Sequence, residues 1–149
     1  MATFRALYRD ADGTLGPAEW LSASALPVGV AIVMTMLAYA ISPGPRDLSV
    51  QPFFSVSIFA VHAYLLFYGF ALFVLAVMEY FVSAKRLRDL GRAPGLAGLA
   101  PLALLLAGAA AWFQPRSEGA MPEWAVWPFY AVALAVVVGN VAVLGFVKR

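Results

Sequence analysis

Four apolar stretches separated by short polar breaks set the pattern of this chain: residues 21–41, 53–83, 96–113 and 124–147. The first carries no charge, and its 21 residues, at about 1.5 Å per residue, match a bilayer core of about 30 Å. It is too long for the apolar region of a signal peptide and has no basic start directly before it, so it is expected to be retained as a span. Pro27 falls near its start, where a kink is expected, and Ser42-Pro43-Gly44-Pro45 ends it in a loop. The second stretch is longer than one crossing needs, so it either tilts or begins in the interface. The helical pattern then runs on through Lys85 to Leu90, with Gly91 as the stop and Pro94 just beyond. The third stretch is short and rich in Ala and Leu, and residues 114–122 form a polar loop before the fourth.

Residues 1–20 differ. Phe4, Leu7, Tyr8 and Ala11 fall on one helical face with Arg5, Arg9 and Asp12 off it, which predicts a short amphipathic helix on the membrane surface. Gly13 and Gly16 break that pattern. Pro17 suits the first turn of the next helix, and Glu19 in that turn meets the positive end of its dipole. The fold class expected is therefore all-α: an integral membrane bundle of four transmembrane helices (residues 21–149) behind an N-terminal interfacial segment.

Composition agrees. The chain is 63% hydrophobic and only 12% charged, about half the charge of a soluble domain. It contains no cysteine, which excludes disulfides and thiolate metal sites, and a net charge of +2 is too small to imply nucleic acid. The distribution of charge matters more than its sum. With four spans, Arg5, Arg9, Lys85, Arg86, Arg88, Arg92, Lys148 and Arg149 fall on one side and Arg46 and Arg116 on the other, eight against two. That bias predicts cytoplasmic N- and C-termini. Trp112, Trp124 and Trp127 would then mark the outer interface and Trp20 the inner one.

Few residues offer chemistry. In the basic stretch, Lys85 and Asp89 are four apart and can pair, and Lys85, Arg86, Arg88 and Arg92 can reach anionic lipid head groups at the cytoplasmic face, or simply anchor the topology. Gly91 is expected to take a positive φ where the chain reverses. His62, the single histidine, lies inside a span and is a candidate for an intramembrane contact, either by packing or with a neighbouring subunit; without a partner it is not expected to hold haem or chlorophyll. Glu79 is expected in an interfacial ion pair with Lys85 or Arg86, and Asn140 in a bond across helices. No second carboxylate occurs within a span, and no phosphate loop, nucleophile elbow or metal-ligand spacing is present, so neither catalytic residues nor a cofactor is expected. Ala103, Ala107 and Ala111, and likewise Ala131, Ala135 and Gly139, recur every four residues as candidate close-packing stripes.

The stretch Lys85-Arg86-Leu87-Arg88-Asp89-Leu90-Gly91-Arg92 resembles the Arg-Arg-Leu-His-Asp-Ile-Gly-Arg stretch of a bacterial family of small inner-membrane proteins, the domain of unknown function 805. Lys85 replaces the first Arg, Arg88 the His and Leu90 the Ile, and Ala93-Pro94-Gly95-Leu96 departs from the Ser-Gly-Trp step that follows in the family. Residues 16–20 resemble its Gly…Glu-Phe-Trp approach to the first span. The resemblance implies a four-helix inner-membrane fold and no particular activity.

The functional expectation is a non-enzymatic accessory or assembly subunit packing against a larger membrane complex, such as a respiratory or photosynthetic one. Phe53, Phe54, Phe59, Phe67, Phe70 and Phe73 exceed what one small bundle need bury. The alternatives are a small transporter or channel-like oligomer, and a lipid-binding or envelope-stress protein that uses the basic stretch.

Overall fold

The computed structural model describes residues 4–41, 55–117 and 119–147. The proposed loop at residues 42–45, Arg46, Phe53, Phe54, Lys148 and Arg149 lie outside the described residues. The described residues form five α-helices in order: α1 Phe4–Tyr8, α2 Pro17–Ile41, α3 Val56–Asp89, α4 Leu99–Phe113 and α5 Trp127–Val141. A 3-10 turn over Pro94–Gly98 leads into α4, another over Glu123–Val126 leads into α5, and a π-helical turn over Ala142–Phe146 closes the last helix. Counting these extensions, four helical segments are long and apolar enough to cross a membrane, and no strand occurs among the described residues. This is an all-α, multi-pass membrane protein.

The helix boundaries have local causes. α2 starts at Pro17, whose missing N–H costs nothing in a first turn, and Glu19 Oε2 reaches back to accept from Gly16 N–H at 3.0 Å. Ser55 caps α3, its Oγ accepting from Ile58 N–H at 3.3 Å. α3 ends in a Schellman turn: Arg92 N–H donates to Leu87 O at 2.8 Å and Gly91 N–H to Arg88 O at 2.9 Å. Gly91 takes φ +69°, the conformation that spares glycine a Cβ clash. With 34 residues, α3 is about 50 Å long, so it crosses the apolar layer and continues past it.

Two hairpins result. α2 packs along α3 and α4 along α5, and the hairpins meet chiefly through the turns at Pro94–Gly98 and Ala142–Phe146. The N-terminal segment, the end of α3 and the end of α5 thus share one end of the bundle, the end with the basic residues. The main core lies there and includes Tyr8, Leu15, Trp20, Ala23, Val82, Ala84, Leu87, Ala97 and Leu144.

Several sequence expectations change. The N-terminal amphipathic helix is only five residues long, stops before Ala11, and packs on α3 with Tyr8 buried. Trp20 is not an interface marker but a core residue, 4% exposed. The stripe on the third span packs as expected, with Ala103 and Ala107 buried and Ala111 half-buried. The stripe on the fourth does not: Ala131, Ala135 and Gly139 are exposed, and Ala133, with Val136, meets Ala103 and Ala107 instead. Two positions along a helix are about 200° round it, so spacing found a possible stripe but not the face that turns inward.

Candidate functional site

The residues from Val82 to Leu87 are all buried, although they include Lys85 at 2% exposure and Arg86 at 1%. A cation removed from water needs acceptors, and both find them in backbone carbonyls. Lys85 Nζ donates to Leu7 O at 2.8 Å and to Ala6 O, capping the last carbonyls of α1. Arg86 Nε donates to Leu144 O at 2.8 Å, and its two terminal nitrogens reach Val147 O, Asp89 Oδ2 and, at 3.5 Å, Leu15 O. Leu144 lies in the π-helical turn, so the guanidinium satisfies carbonyls at the negative end of the last helix. Arg88 Nη1 donates to Ala11 O and, at 3.3 Å, to Gly13 O. The basic residues of α3 therefore form a latch that gathers the N-terminal segment and the final helix around one helix end.

This corrects three expectations. Lys85 and Arg86 cannot serve lipid head groups, because their charged ends are enclosed by protein; Arg92 is exposed and Arg88 half-exposed. The partner of Asp89 is Arg86, three residues back, rather than Lys85, which turns towards α1. Glu79 makes no ion pair with either cation. Its Oε1 accepts instead from Ser24 Oγ at 3.0 Å and Ser83 Oγ at 2.9 Å, while Oε2 is sealed from solvent with no hydrogen-bond partner among the described residues.

Around Glu79 a polar seam joins α1, α2 and α3. Trp20 Nε1 donates to Ser83 Oγ at 3.1 Å. Tyr8 Oη donates to Ala23 O at 2.7 Å. That carbonyl stands four residues before Pro27, so it is the one whose helical partner proline removes. The Tyr8 hydroxyl replaces the lost N–H. Burial pushes the Tyr8 phenol above its ordinary value, and a charge on Glu79 would push it further. Sequence reasoning missed Tyr8, Trp20, Ser24 and Ser83. Pro27 signalled a free carbonyl, but nothing in the sequence named its partner.

Other expected contacts are local or not made. His62 is exposed, and its Nδ1 donates to Ile58 O at 2.8 Å on the same helix. Asn140 is half-buried and makes no bond across helices among the described residues. Farther along the α2–α3 pair from the basic end, Tyr68 Oη and Thr35 Oγ1 lie 3.0 Å apart and Tyr64 Oη donates to Met34 O at 3.2 Å.

The opposite end is aromatic. Trp112, Trp124 and Trp127 are exposed, and Arg116 stacks over the Trp112 ring at 4.2 Å. Along α3, Phe59, Leu66, Phe70, Phe73 and Val77 follow one helical stripe and all are exposed. The stripe runs down to a groove of about 440 Å³ between α1 and α3, where Phe73 and Val77 are joined by Phe4, Tyr8, Arg9 and Phe81.

The class these features define is a multi-pass helical membrane protein closed at one end by a buried basic latch. No family model, curated protein or solved structure matches the chain.

Proposed function

We propose that this protein is a non-enzymatic accessory or assembly subunit of the bacterial inner membrane, with cytoplasmic termini, which packs against a larger membrane complex; membership of the family that its basic stretch resembles is part of the same proposal. The observation that carries it is the exposed aromatic stripe of α3 running into the groove beside α1. Lipid solvates apolar side chains of any shape, whereas a stripe of exposed rings and aliphatic side chains ending in a groove suits a partner helix that packs ridge into groove. The placed ionisable groups favour a structural role as well, since Lys85, Arg86 and Arg88 are spent on backbone carbonyls.

Native electrophoresis after gentle solubilisation tests this reading. The protein should co-migrate with a much larger assembly, and the double variant Phe70→Ala/Phe73→Ala should leave that assembly while remaining folded. Migration from native membranes as a lone monomer or homo-oligomer would overturn it. For the orientation, reporter fusions after Arg92 and at the C-terminus should both report cytoplasm, and one after Arg46 the outside.

A further inference from the structure

We propose that Glu79 holds a proton at neutral pH, so that the seam between α1, α2 and α3 is an intramembrane proton-binding site. On the carboxyl's own helix, Lys85 is committed to Ala6 O and Leu7 O, and Arg86 to Leu144 O, Val147 O and Asp89. From α2 it meets the Ser24 hydroxyl, while Glu19, one turn before Ser24, is tied to Gly16 N–H. On the N-terminal side, Tyr8 donates to Ala23 O, Arg5 pairs with Asp10 at 3.7 Å in the open, and Arg9 is exposed. The π-helical turn of the last helix contributes Leu144 and Gly145 to this core and carries no charge. Among the described residues, then, no cation pairs with Glu79, though two stand within two turns of it.

An ionised carboxylate here would have two hydroxyl donors on one oxygen and none on the other, with no counter-charge, a costly arrangement away from water. A protonated carboxyl fits the same atoms better. Oε1–H can donate to Ser83 Oγ, because a serine hydroxyl accepts as well as donates and can turn its own proton to the carbonyl four residues back. Oε2 then becomes a neutral carbonyl oxygen, whose missing partner costs far less than that of a charged one.

Infrared spectroscopy of the purified full chain in an ester-free detergent at pH 7 tests the proposal. Comparison with Glu79→Gln isolates this carboxyl from the other acids of the chain. The expected result is a protonated-carboxyl C=O band in the wild type that shifts in deuterated water and is lost in Glu79→Gln. Absence of the band from the wild type would overturn the proposal, as would its survival in Glu79→Gln. Should Glu79→Gln not accumulate, Ser24→Ala removes one hydrogen bond to the carboxyl and must move the band, and an unmoved band would also overturn the proposal.

Discussion

At the basic end of the bundle six consecutive residues, Val82 to Leu87, are buried, and two of them are cations. At the opposite end Trp112, Trp124 and Trp127 are 61%, 69% and 69% exposed. The two regions differ in what satisfies their atoms. At the basic end protein must supply the partners of enclosed polar groups, and Lys85, Arg86, the Tyr8 and Ser83 hydroxyls and the Trp20 ring N–H each have one, while Glu79 Oε2 has none among the described residues. At the aromatic end the rings are exposed, and no charged side chain is enclosed there among the described residues. A membrane bundle without a hydrophobic drive between helices can thus be closed by a few hydrogen bonds to backbone ends, concentrated at one end.

The largest effect that would break this contrast is loss of the latch. Arg86→Ala leaves Leu144 O, Val147 O and Asp89 without their cation, and should cost about 3–5 kcal/mol, read as a lower midpoint of thermal unfolding in detergent or loss of protease-resistant protein. Arg86→Lys should recover little of it, because an ammonium cannot span several carbonyls as a planar fork does. An unchanged midpoint would show that the end is held by apolar packing alone.

Next comes the Tyr8–Ala23 bond. Tyr8→Phe should destabilise by about 1–3 kcal/mol, as it leaves a buried carbonyl unsatisfied. In a Pro27→Ala background the helix regains its own N–H donor to that carbonyl, and the cost of Tyr8→Phe should fall. Equal costs in both backgrounds would separate the tyrosine from the proline.

At the turn that follows the latch, Gly91→Val forces a β-branched residue into φ +69° and should cost about 1–2 kcal/mol or more. Arg88→Ala should be milder, since its carbonyl partners are exposed and water can replace it. Membrane-inserted, protease-resistant protein measured for the two variants checks the order; equal levels would mean that the stretch sets topology and nothing else.

The smallest effect belongs to the aromatic end. Trp124→Ala should move the unfolding midpoint of the isolated protein by no more than about 0.5 kcal/mol, the range of exposed sites. A drop as large as that of Arg86→Ala would erase the distinction between the two ends.

Features that depend on runs and local spacing were legible before any packing was known. Four spans, the all-α class, the glycine stop at Gly91, the Pro17–Glu19 helix start and the gathering of basic residues at one end were all legible. Each follows from hydropathy summed over about 20 residues or from backbone rules within a single turn. Where side chains point was settled by the packing of the helices. It turned Lys85 and Arg86 inward, gave Asp89 to Arg86, withheld a cation from Glu79, chose Ala133 over Ala131 and Ala135, and drew Trp20 and Tyr8 into the core. These choices rest on contacts between residues as far apart as Trp20 and Ser83, or Arg86 and Leu144. A basic run in a sequence looks the same whether its charges meet phosphates outside or carbonyls within; which acceptors lie in reach depends on how the helices pack.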